Sequence, residues 1–123
     1  MRAVAAAGLS TIESGVARFG ALPFGLQLFA VVTAGVVEET LFRGYALERL
    51  AEATGSTAIA AIVTLVWFAA VHWPVWGTGG TLVIFCTAAA FTAFYVWRRD
   101  LVANALAHVA VDAVGLILVP LGK

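Results

Sequence analysis

Two carboxylates and an arginine, Glu38, Glu39 and Arg43, follow an uncharged run from Phe19 to Val37, and His72, His108 and Asp112 lie inside later apolar runs. A carboxylate beside an imidazole can take a proton from water, and a second imidazole can donate to a developing oxyanion. Those are the groups that peptide hydrolysis needs. The same glutamate, aspartate and histidines form a plausible nitrogen and oxygen set for zinc, so a metallopeptidase is the alternative. No helix carries an H-E-x-x-H pattern, and metal-free chemistry is the reading taken, with no cofactor required.

Spacing separates the roles. Glu39 and Arg43 stand four apart with the acid first, the favourable order for an ion pair along a helix. Glu38 is one residue, about 100°, around the same helix and is left free for a water. His108 and Asp112 share a face, and Phe68 stands where its ring can pack on His72. Cys86, the only cysteine, reads as a small buried residue. Glu48, Arg49, Glu52, Arg98, Arg99 and Asp100 read as solvated helix ends, and the four tryptophans as core or interface anchors.

The elements that must carry these groups are membrane helices. The chain is 63% hydrophobic with mean hydropathy +1.02, and no Asp, Glu, Lys or Arg occurs between Ala53 and Trp97, room for two passes of about 20 residues. A net charge of zero gives no reason to expect nucleic acid; the partners implied are membrane lipid and a membrane-associated peptide or protein substrate. In the bilayer centre one charge costs about 2.5 to 3.5 kcal/mol, so the polar groups must pair, face a polar interior or react.

The fold expected is all-α: a polytopic bundle of about four membrane helices over residues 21–123, preceded by an amphipathic interfacial segment over residues 1–20 with Leu9, Ile12, Val16 and Phe19 at helical spacing. Met1 to Gly8 is too short an apolar stretch for a signal peptide, and none is assigned. The first membrane helix runs from Pro23 to about Glu52 and ends at Gly55; the second starts at Ser56 or Thr57 and is stopped after His72 by Pro74. Residues 73–80 read as a loop, and helices follow from Thr81 to Trp97 and, capped by Asp100, from Leu101 to Val119. Ala and Gly on the second and third helices would permit close packing. Arg49, Arg98 and Arg99 then fall on one side and Arg18 and Lys123 on the other, which places the first side in the cytoplasm by a margin of one residue.

Depth brings the sites together. Counted from that side, Glu38 lies about 18 Å deep, His72 about 22 Å, His108 about 12 Å and Asp112 about 18 Å. The four groups are therefore expected to line one polar cavity with heavy atoms within about 8 Å of each other. A proton relay or anion-binding transporter, or a silent scaffold or immunity protein, would also use such a cluster.

Taken in order, Glu38-Glu39-x-x-x-Arg43, Phe68-x-x-x-His72 and His108-x-x-x-Asp112 resemble the three motifs of the CAAX protease and bacteriocin-processing family, also called Abi, which includes the type II CAAX prenyl endopeptidases. The resemblance spans roughly residues 25–119 and extends to Phe42-Arg43-Gly44 and the approach from Asn104 to His108. It implies an intramembrane endopeptidase acting on prenylated, bacteriocin-like or other membrane peptides. By the same resemblance Glu38 with His72 activates water, His108 and Asp112 stabilise the oxyanion, and Glu39 and Arg43 complete the first motif. Family members are commonly longer, and Asp112 stands where Asn is the easier donor, since an ionised Asp only accepts.

Overall fold

The computed structural model describes residues 12–121, all of them in helices or the short links between them. Met1 to Gly8, Leu9 and Lys123 lie outside that range. Helix α1 spans Ile12–Gly20, α2 Phe24–Thr54, α3 Thr57–Arg98 and α4 Leu101–Leu118, with one more turn, Val119–Leu121. The last three of these helices are long and apolar enough to cross a membrane.

Local chemistry sets the ends. Gly55 adopts φ 66°, the left-handed conformation that closes a helix at little cost for glycine. Ser56 Oγ accepts from Ile59 N at 3.3 Å and Asp100 Oδ1 from Ala103 N at 2.9 Å, capping α3 and α4. Gln27 Nε2 donates back to the carbonyls of Gly20 and Leu22, which ties the end of α1 to the start of α2.

Helix α3 is a hairpin. Gly77 has φ 64° and ψ −177°, a non-helical conformation that turns the chain back on itself. Ala60 and Tyr95 meet in one core cluster with Leu47, although a straight helix would hold them about 52 Å apart. The loop expected over residues 73–80 is thus corrected to a turn at Gly77, with helix running through Pro74. Proline forfeits one backbone bond there, but the arm ends two residues later, and Arg18 Nη2 donates to the Val75 carbonyl at 2.8 Å. Four passes remain: α2, the two arms of α3, and α4.

Packing follows a membrane logic. Glu39, Arg43, Thr64, Thr92, Asn104 and His108 are buried, while Phe24, Phe29, Ile62, Leu82, Val102 and Leu106 are exposed. Lipid offers apolar surface nothing to escape from, so the helices associate by close contact and polar bonds. Cys86 shows the same reversal: read as buried, it is exposed on α3, because an apolar residue needs no core in lipid.

Two stretches widen from α to π geometry, Thr40–Leu47 in α2 and Ala113–Leu118 in α4. Val31, Gly35, Glu39, Arg43 and Leu47 are all buried, a strict period of four. In an α-helix each such step advances about 40° around the axis. A π turn of about 4.4 residues brings the row back the other way, so the stripe stays on one side.

Candidate active site

The crossing of α2 and α4 comes first. A Cβ on Gly35 would lie 2.4 Å from Val109 Cγ2, 3.0 Å from Val109 N and 3.2 Å from Ala105 O, so only glycine lets the backbones approach this closely. One turn further along α2, Glu38 and Glu39 meet His108, which is one residue from that contact on α4.

Glu39 and Arg43 form the inner layer, 0% and 1% exposed. Arg43 Nη1 donates to Glu39 Oε1 at 2.9 Å, and its Nη2 donates to the Ala88 carbonyl at 3.1 Å and Thr92 Oγ1 at 3.4 Å. The guanidinium carbon lies 4.7 Å from the centre of the Phe68 ring. Glu39 also accepts from Asn104 Nδ2 at 2.5 Å and from His108 Nδ1 at 2.7 Å. A buried carboxylate and guanidinium are stable only when so partnered.

The outer layer faces a cavity of about 320 Å³. Glu38 is central: Oε1 stands 3.8 Å from His72 Nε2, and Oε2 stands 3.8 Å from His108 Nε2. Asp112 Oδ2 is 3.5 Å from the same His108 nitrogen. These are too long for strong direct hydrogen bonds and suit a bridging water.

Second contacts set the ring orientations. His72 Nδ1 lies 2.6 Å from the Phe68 carbonyl, which can only accept, so Nδ1 carries hydrogen and a neutral His72 presents a lone pair at Nε2. The rings of Phe68 and His72 are 4.6 Å apart between centroids. His108 donates from Nδ1 to Glu39 and is stacked on Phe91 at 5.0 Å and 23°.

The structure thus brings Glu38, His72, His108 and Asp112 to one cavity and sets Glu39 and Arg43 behind it. Sequence reasoning named Asn104 only as the start of the approach to His108 and gave it no role; its bond to Glu39 is tertiary, although it stands four residues before His108 on the same face. Nor did it find Phe91, whose contact is purely tertiary. Among the described residues no group of three or more His, Cys, Asp or Glu side chains is gathered so as to hold a metal ion.

Residues 20–114 match the family model of the type II CAAX prenyl endopeptidase, Rce1-like. No curated protein and no solved structure matches the chain. That match takes in all three sequence motifs and the helices that bring them together, so the chain belongs to the Rce1-like family of type II CAAX prenyl endopeptidases and is a multi-pass integral membrane protein.

Proposed function

We propose that this chain is an intramembrane endopeptidase in which Glu38 and His72 activate a water and His108, assisted by Asp112, stabilises the oxyanion. The observation that carries this reading is the pair of 3.8 Å separations by which Glu38 faces a different imidazole with each oxygen. A water between Glu38 and His72 finds two acceptors for its protons, because Nδ1 of His72 is committed as a donor to the Phe68 carbonyl.

The steps follow from those groups. Glu38 takes a proton as the water oxygen adds to the scissile carbonyl, and the new oxyanion receives a hydrogen bond from His108 Nε2. That nitrogen donates only from the doubly protonated ring, since Nδ1–H already goes to Glu39. Asp112 acts through His108 and needs no proton of its own. Collapse of the tetrahedral intermediate breaks the C–N bond, the amine leaves with the proton held by Glu38, and the other product forms as a carboxylic acid that ionises by passing its proton to the His72 Nε2 lone pair. No step is routed through a metal.

The substrate class supported by the family is a prenylated CAAX peptide or another membrane-associated peptide. The test is cleavage of a farnesylated CAAX peptide by protein reconstituted in liposomes. Glu38→Gln keeps the shape and removes the base; loss of at least about 100-fold in kcat, the lower range for a general base, is expected. Full activity in that variant would overturn the assignment, and proton flux through the liposomes without cleavage would favour the transport reading.

A further inference from the structure

The cavity does not end at the polar groups. It extends along α2 from Glu38 to Ala30, about 12 Å by helical rise, and its far end is walled by Ile12, Val16 and Phe19 of α1. Apart from Gly20, α1 precedes the region that matches the family model, so this wall belongs to the chain's own sequence.

The position of α1 is built in. A Cβ on Gly15 would lie 2.5 Å from Trp76 Cε3, so the helix rests directly on the indole beside the Gly77 turn. Arg18 holds the Val75 carbonyl at 2.8 Å. Trp76 also lines the cavity, one helical turn beyond His72. The helix therefore lies across the end of the cavity with its apolar row turned inward, and no charged side chain of α1 lines it.

We propose that α1 sets the length of the apolar substrate group that the cavity accepts, with Val16 as a specificity-determining residue. This rests on the peptidase reading for the location of the scissile bond at Glu38. A group attached near that bond runs down the apolar channel and meets α1 at its end; shorter groups stop before it and longer ones must displace it. A methylene that fits or clashes in such a pocket changes discrimination by about 10- to 200-fold, so side-chain size at residue 16 translates into chain-length preference.

The test uses the full chain in liposomes and CAAX peptides carrying S-alkyl groups of increasing length. Val16→Phe is expected to raise the ratio of KM for long over short chains about ten-fold, and Val16→Ala to lower it. A change in kcat shared by all chain lengths, or no change in the ratio in either variant, would overturn the proposal. A second measurement does not need turnover. In a Glu38→Gln, Cys86→Ser background, Val16→Cys should be protected from maleimide by long-chain peptides and not by short ones. Equal protection by both, or none by either, rejects the role of α1. Cleavage failing in the wild type while protection follows chain length rejects the peptidase reading alone.

Discussion

Arg43 and Glu38 carry similar charges' worth of cost in a membrane, yet their surroundings assign them different work. Arg43 donates to Glu39, Ala88 and Thr92 and lies 4.7 Å from the centre of the Phe68 ring. Arg43→Ala takes the guanidinium from the buried Glu39 carboxylate and leaves it only Asn104 and His108, and a loss of about 3 to 5 kcal/mol is expected, read as a lower melting temperature in detergent. Glu38 has two imidazoles at 3.8 Å, and Glu38→Gln should melt close to the wild type. Equal losses in both would erase the distinction. The metal question is also one of residues. Four ligating side chains would leave neither base nor oxyanion donor, whereas catalytic zinc keeps an open position. Purified active protein is expected to contain well under one equivalent of zinc and to survive strong chelators. Stoichiometric zinc whose removal abolishes cleavage and whose return restores it would make Glu38 a ligand instead of an unassisted base.

At the scale of elements, much of the arrangement was legible because helical spacing and depth are arithmetic. The i,i+4 pairs at 39/43, 68/72 and 108/112 needed only the period of the helix, and the shared depth needed only the rise. What was illegible depended on neighbours. Residues 73–80 contain the punctuation of a loop, but Gly77 alone makes the turn, and the carbonyl beside Pro74 is taken by an arginine 57 positions earlier. The π stretches were invisible because a row of buried residues every four positions reads equally well as α-helix. Gly35 looked like any membrane glycine until Val109 and Ala105 were found against it. Gly35→Ala is expected to cost about 1 to 3 kcal/mol by overpacking and to lower activity by shifting Glu38 from His108. A thermal melt beside the cleavage assay checks this, and a variant unchanged in both would show that the helices have slack.

For the whole molecule, the reversal of inside and outside means that a few polar bonds and close contacts do the holding that a hydrophobic core does in water. It also imposes a timetable. Glu39 sits on α2, but two of its three partners, Asn104 and His108, lie 65 and 69 residues later. At about 5 to 20 residues per second the ribosome needs several seconds to make that stretch. During that interval only Arg43, four residues away, travels with the acid, and Glu38 has neither imidazole partner until α3 emerges. Newborn α2 must therefore wait beside something other than lipid. A chain stopped after Arg99 is expected to extract from membranes at alkaline pH or to be degraded in a pulse-chase, while one reaching Leu118 resists both. Equal retention of the two would mean that α2 is held by Arg43 alone. The cluster around Glu39 is thus also the last thing to be assembled, and a half-made chain is expected to carry its own mark for disposal.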